Sequence, residues 1–252
     1  MVDGRRVVVT GIGVVSPVGI GRAAFWENLL AGRSGIDRIS LFDADDLRCR
    51  IAGEVQDFDA TRYMSTKEAR RLDRFAHFAV AAGDEAVEMA RLSADRVDPT
   101  RVGVLIGGGI GGIATLENQC RILHSRGPSK SSPLMVPMMI IDIASGVVSM
   151  RHGFKGPNVS VVTACASGSH AIGEAYWMVR RGDADVMVTG GVEAPVCKLG
   201  LTGFCSMRAL TERNDDPRRA SRPFDAERDG FVPAEGGGIL VLEEWEHARA
   251  RG

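Results

Sequence analysis

Cys165 is the residue around which this sequence could do chemistry. It stands in Val159-Ser-Val-Val-Thr-Ala-Cys-Ala-Ser-Gly-Ser-His170, where an apolar run ends and a helix is predicted to open. Its neighbours Ala164, Ala166, Ser167 and Gly168 are small, so a ligand can come close to the sulfur. The unpaired N–H groups of a first helical turn, with the helix dipole, favour thiolate over thiol, and the thiolate is the nucleophile. The same groups would stabilise an oxyanion formed on a thioester carbonyl. A thioester to cysteine is made and broken at small free-energy cost, so acyl carrying is the chemistry this placement suits. The residues alone leave open the usual fate of a free cysteine, a buried inert thiol. Cys49, Cys120, Cys197 and Cys205 lack this setting and read as structural. Five scattered thiols form neither a metal-ligand pattern nor a disulfide framework, which fits reduced cysteines in a cytosolic protein.

Two further groups could do chemistry. Gly107-Gly-Gly-Ile-Gly-Gly112 formally satisfies G-x-G-x-x-G between a predicted strand and helix. A dinucleotide site also needs an acidic residue about twenty positions on, to hold a ribose. Positions 131–133 are Ser-Ser-Pro, so that reading fails its second test. Lys67, Arg70, Arg71 and Arg74 form a basic patch at one helix entrance, with Lys130 and Arg208 elsewhere. Such residues are either solvated helix surface or a docking site for an acidic partner, where charge raises the encounter rate more than the affinity.

The elements that must position these residues follow from patterning. The chain has 252 residues, 44% hydrophobic and 25% charged, with net charge −1. That is ordinary globular composition, and no global field recruits nucleic acid or anionic membrane. With 31 glycines and 6% aromatics, a layered α/β core with tight turns is favoured over a β-sandwich. Arg5-Arg6 before an apolar run could mimic a signal peptide, but Gly11, Gly13, Pro17 and Gly19 interrupt that run. No stretch reaches the ~20 unbroken apolar residues of a membrane span, so a soluble cytoplasmic protein is expected. Strands are predicted at Val7–Thr10, Val102–Ile106, Val159–Val162, Val186–Thr189 and Gly238–Leu242. Helices are predicted near Arg22–Leu30, Lys67–Arg91, Ala114–His124, Met138–Met150 and Ala166–Arg181, with one more beginning at Glu243–Arg249. Residues 33–62 read as irregular, Leu201–Leu210 is ambiguous, and Arg213–Gly230 is a charged loop. Short apolar strands alternating with helices imply parallel pairing with helices on both faces. No repeat and no low-complexity segment is visible.

The segment Gly156-Pro-Asn-Val-Ser-Val-Val-Thr-Ala-Cys-Ala-Ser-Gly-Ser-His-Ala-Ile172 closely resembles the active-site signature of the β-ketoacyl–acyl-carrier-protein synthases. The opening Arg6–Gly19, the glycine run Gly108–Gly112, Gly182–Gly191, and Arg213–Pro217 through Asp225 and Glu227–Phe231 resemble that family too. The resemblance covers essentially the whole chain, and the type it is most similar to is the elongating synthase II of bacterial fatty-acid synthesis. The ketosynthases of aromatic polyketide pathways are the near second.

The resemblance implies an α/β, thiolase-like layered fold, of which residues 1–252 form one βαβαβαββ half, with no cofactor and no metal. It implies a homodimer paired through the strand at Val159–Val162. It implies that acyl-carrier protein delivers an acyl chain to Cys165. A malonyl-carrier protein then loses carbon dioxide and attacks the thioester, giving a 3-oxoacyl chain. It places Ile110 at a gating position of the acyl pocket, with Met135 and Phe204 as other pocket-lining positions. It places Lys67, Arg70, Arg71, Lys130 and Arg208 at carrier-protein docking positions, while Ser129 stands where a basic residue is common. One departure follows. The family's two catalytic histidines, assisting lysine and Gly-Phe-Gly turn lie in a second half. None of His77, His124, His152, His170 and His247 sits in such a motif. The sequence therefore reads as the amino-terminal, cysteine-bearing part of a longer enzyme. The alternative is a non-catalytic module that still docks carrier protein.

Overall fold

A computed structural model describes residues 4–252. Among them one mixed sheet is built from β1 (Val7–Ser16), β2 (Gly19–Ile20), β5 (Val102–Gly107), β6 (Asn158–Val159), β7 (Val186–Glu193) and β8 (Gly236–Glu244). The spatial order is β2-β1-β8-β7-β5-β6. β5 runs parallel to β6 and β7, as the alternating pattern predicts. β8 is antiparallel to both β7 and β1, and β2 to β1, so the expectation of purely parallel pairing is corrected. The reason is local: β8 returns beside its neighbour β7 through a long connection that includes the helix Lys198–Ser206, with no crossover that keeps a common strand direction. A second ribbon pairs β3 (Ile36–Arg38) with β4 (Ile51–Gly53), inside the stretch read as irregular.

The helices are α1 (Arg22–Leu30), α2 (Thr66–Ala69), α3 (Arg74–Met89), α4 (Ile113–Arg126), α5 (Met135–Met139), α6 (Ile143–His152), α7 (Ser167–Arg181), α8 (Lys198–Ser206) and α9 (Trp245–Arg251). β1, α3, β5, α6, β6, α7, β7 and β8 in succession give the expected βαβαβαββ order. α3 and α6 cover one face of the sheet, where Phe75, Phe78, Ala82 and Val148 meet Val102, Val104, Ile106, Val188 and Val241. α7 covers the other face, where Ala171, Ala175 and Val179 meet Leu105, Met187 and Leu242. Alternate residues of the fully buried β5 thus serve opposite layers. A separate apolar cluster joins Cys49, Ile51 and Ala52 of the β4 ribbon to Leu201 of α8 and to Leu210.

Several elements differ in extent from the pattern. The strand predicted to end at Thr10 continues to Ser16. A Cβ on Gly11 or Gly13 would overlap the carbonyl of Ala86 or Ala82 on α3. These glycines let helix backbone lie on strand backbone; they are not a loop signal. The single helix expected over Lys67–Arg91 is two. α2 opens on a capping box between Ser65 and Glu68, and α3 starts afresh after Asp73. The Asp73 carboxylate is turned away from α3 and accepts from the N–H and hydroxyl of Thr115, at 2.8 and 2.6 Å. The helix expected over Met138–Met150 breaks at residues 140–142, where Ile140 is extended. The strand expected over Val159–Val162 pairs only at Asn158 and Val159. Beyond them the chain leaves the edge to form the turn that carries Cys165. Residues 201–206 of the ambiguous stretch lie in α8.

Candidate active site

β5, β6 and β7 run parallel, so their carboxyl ends open at one edge, the usual place for a ligand site in such a sheet. Three segments meet there: the glycine loop after β5, the turn after β6, and the end of β7 at Glu193. Cys165 lies in that turn, just ahead of Ala166, which caps the fifteen-residue α7. It is exposed. Ala164 before it has φ 52°, a left-handed conformation that costs a non-glycine residue free energy and is found at functional turns. The turn holds this shape because Ser167, only 3% exposed, ties it from inside. Its hydroxyl accepts the Thr163 N–H at 2.9 Å and donates to the Ala164 carbonyl at 2.6 Å. The Ala166 and Ser167 amides donate back to the Thr163 and Ala164 carbonyls, at 3.1 and 3.0 Å. A Cβ on Gly191 would stand 2.8 Å from the Gly168 Cα, so α7 reaches the sheet here only because both residues are glycine.

The other cysteines differ. Burial pushes the Cys197 thiol up to about 11, with the Glu117 carboxylate adding to the effect. Burial likewise raises the Cys49 thiol, which donates to the Ile51 carbonyl. Cys120 is exposed on α4, away from any such turn. Three of the histidines are engaged away from the thiol. His77 bonds the Ala69 carbonyl, His152 pairs with Asp84, and His247 with Glu243. His170, one turn into α7, spends Nδ1 on the Thr163 hydroxyl at 2.7 Å.

An open cavity of about 810 Å³ lies beside the cysteine turn. Its apolar wall includes Ile110, Ile113, Leu116, Met139, Ile141 and Val162. Ile110, which the resemblance assigns to the acyl pocket, is among the residues of this wall. Met135 is half-buried on α5, one turn before Met139, and Phe204 stacks edge-on against Phe231; neither lines this cavity. Lys67, Arg70 and Arg71 are exposed on and just after α2, and Lys130 and Arg208 are exposed on separate turns. Arg74 is not part of that surface. It forms a two-pronged pair with the buried Glu235, at 2.8 and 2.7 Å, and donates to the Val55 carbonyl.

The residue that sequence reasoning missed is Glu193. Its carboxylate accepts the N–H groups of Gly109, Ile110 and Gly111 at 2.7, 2.6 and 3.0 Å. In a dinucleotide site these amides would face a pyrophosphate; here the chain's own carboxylate takes them. Burial pushes the Glu193 carboxyl above the ordinary range, against the lowering pull of the three amides. The one available signal was a lone carboxylate at the end of an otherwise apolar strand. Among the described residues no cluster of three or more His, Cys, Asp or Glu could hold a metal ion. No helix among them is long and apolar enough to cross a membrane.

Residues 4–248 match the family model of the Beta-ketoacyl synthase, N-terminal domain. The chain belongs to the β-ketoacyl synthase family. It is 53% identical to 3-oxoacyl-[acyl-carrier-protein] synthase 2 of Synechocystis over 98% of its own length and 60% of that protein's. It is 48% identical to the protein of that name from Vibrio cholerae, with the same coverage. A solved β-ketoacyl synthase from Burkholderia phymatum superposes with TM-score 0.87 at 32% identity, over 99% of this chain and 61% of that one. The ketosynthase AntDE, solved with its acyl-carrier protein and a bound hexaketide, superposes with TM-score 0.83 at 33% identity, over 98% and 60%. The chain thus spans about 60% of the length of the relatives it matches. The βαβαβαββ layers are the expected half of the family's thiolase-like fold.

Proposed function

We propose that this chain is the acyl-accepting part of a condensing enzyme of fatty-acid synthesis, with Cys165 as the nucleophile. The observation that carries the reading is the exposed thiol on a braced, strained turn at the head of α7. In the first half-reaction the Cys165 sulfur loses its proton to solvent and attacks the carbonyl carbon of a carrier-bound thioester. The tetrahedral oxyanion forms at the amino-terminal end of α7, whose dipole favours negative charge. Collapse breaks the bond to the carrier's sulfur, which takes up a proton and leaves as free thiol. The acyl chain then lies in the apolar cavity walled by Ile110, Ile113 and Leu116. For Met135 and Phe204 a pocket role rests on the resemblance alone.

The second half-reaction, decarboxylation of a malonyl thioester and attack of its carbanion on the Cys165 thioester, needs donors for a developing enolate. The family supplies them from histidine motifs this sequence does not contain, so these 252 residues by themselves are expected to acylate without condensing. The partner is acyl-carrier protein, met by the exposed Lys67, Arg70 and Arg71. The AntDE ketosynthase, solved with its carrier protein, supports that partner. The higher identity to the synthase 2 relatives favours fatty-acid over polyketide synthesis. The working form is a cytoplasmic homodimer, joined through the edge strand β6.

The test is release of free carrier protein from an acyl-carrier substrate. Wild type should release it in a single turnover, and Cys165→Ala should not. Arg70→Glu with Arg71→Glu should slow that release but leave transfer from a small pantetheine thioester unchanged. Equal release by Cys165→Ala would refute the reading.

A further inference from the structure

The proposed chemistry uses Cys165 and the cavity but leaves Glu193 unexplained. A carboxylate driven upward by burial is retained beside an apolar cavity, touching no other charged group that the structure pairs with it. Beside the Ala194 amide, which also favours its charged form, it takes three consecutive amides of one loop. That loop is also fixed on its far side. The Gly112 N–H donates to the Met139 carbonyl at 3.1 Å. Gly111, at φ 77°, leaves no room for a side chain, since a Cβ would stand 2.8 Å from Ile141 Cγ1 and from the Met139 carbonyl. The loop also lies against the nucleophile's turn: a Cβ on Gly109 would be 3.4 Å from the Ala164 carbonyl. Between these clamps stands Ile110, 38% exposed, in the wall of an open apolar cavity. An isoleucine so placed gains by moving into the cavity and removing its surface from water. Something must hold it back, and the amide next to it is bonded to Glu193.

We propose that Glu193 is a positioning residue for the acyl chain: by gripping the amides of residues 109–111 it keeps Ile110 in the wall and the cavity open. This rests on the reading of Cys165 as acyl acceptor. Glutamine is nearly isosteric but presents one acceptor and an N–H₂ group to three donors, so Glu193→Gln releases the loop. Ile110 then closes on the cavity. A two-carbon acyl group does not reach it; a twelve-carbon one does.

The experiment measures single-turnover acylation of the intact chain by acetyl- and dodecanoyl-pantetheine, followed by intact mass. Glu193→Gln should slow dodecanoyl transfer about tenfold to a hundredfold, the scale of a 1 Å misplacement, and change acetyl transfer by less than about twofold. Adding Ile110→Ala to Glu193→Gln should restore dodecanoyl transfer, because the obstructing side chain is gone. Should Glu193→Gln not fold, Glu193→Asp keeps the charge but withdraws it by one methylene, and should show the same split in smaller degree. Equal slowing of both donors, no change in either, or no rescue by Ile110→Ala overturns the proposal while leaving Cys165 as acceptor. No transfer to wild type from either donor would overturn the reading of Cys165, and this proposal with it.

Discussion

At the residue scale, the chemistry depends on which thiol is exposed and how its turn is held. Cys49 and Cys197 are raised by burial, so at neutral pH they hold little thiolate. Brief iodoacetamide treatment near pH 7 should therefore modify Cys165 first and leave those two unlabelled, read by peptide mass. Labelling of Cys197 at the rate of Cys165 would contradict this. Ser167→Ala removes the hydroxyl that binds both Thr163 and Ala164, costing about 0.5–1.5 kcal/mol for the lost hydrogen bonds. It should slow acylation by acetyl- and dodecanoyl-pantetheine alike, unlike Glu193→Gln, while the folded chain persists by circular dichroism. The turn that carries Cys165 was legible because its signal is local: a small-residue turn between an apolar run and a helix is written in twelve consecutive positions. Glu193 was not, because its partners lie 82–84 positions away and its role exists only once β5 and β7 are paired.

At the element scale, stability depends on how closely α3 lies on β1. At Gly13 a Cβ would overlap the backbone carbonyl of Ala82, and neither backbone can yield without unseating the helix. Gly13→Ala should cost about 3 kcal/mol or more, at the upper end of overpacking penalties. Gly203→Ala, within α8, meets no atom within 4 Å and should stabilise by about 0.5–1 kcal/mol. Urea unfolding of the two variants reads both signs, and equal effects would remove the close-approach account of β1. The same packing explains what the pattern hid. Glycines that signal a turn by composition are here interior strand residues, chosen by a helix about seventy positions away in the chain. Helix breaks at Arg70–Asp73 and at 140–142 were hidden for a similar reason. Asp73 is drawn to Thr115 and Met139 to Gly112, contacts that periodicity does not encode. The order of the main sheet strands β1, β5, β6, β7 and β8, and of the helices that cover them, was legible because burial on one or two faces leaves a periodic trace.

At the scale of the whole molecule, two carboxylates, the buried Glu243 and the partly buried Asp185, tie the ends of the chain down. Glu243, fully buried at the end of β8, receives the Arg251 guanidinium in a two-pronged pair and the His247 ring, all at 2.6 Å, and Arg251 also donates to the Ala90 carbonyl on α3. Burial pulls the Glu243 carboxyl upward, but Arg251, His247 and Thr10 together outweigh it and hold it below its ordinary value. Asp185 is held down from 3.8 to about 2, chiefly by Arg101 and also by Arg5. Both groups are lowered on folding. Their stabilisation is full above the ordinary carboxylate range and is lost as pH falls through the lowered values. The melting temperature should therefore drop steeply between about pH 4 and pH 2. Glu243→Gln leaves Arg251 buried without its counter-charge and should cost about 3–5 kcal/mol at pH 7, with a shallower acid slope. An unchanged slope would assign acid sensitivity to other groups.

The measurement that bears most directly on the central claim is the site of acylation. The chain is exposed to dodecanoyl-pantetheine, digested with trypsin without reducing agent, and mapped by mass. The tryptic peptide Gly156–Arg180 contains Cys165 and no other cysteine. The predicted result is a dodecanoyl adduct confined to that peptide, released by hydroxylamine and abolished by Cys165→Ala. An adduct distributed over the peptides of Cys49, Cys120, Cys197 and Cys205, or one that survives Cys165→Ala, would contradict the account.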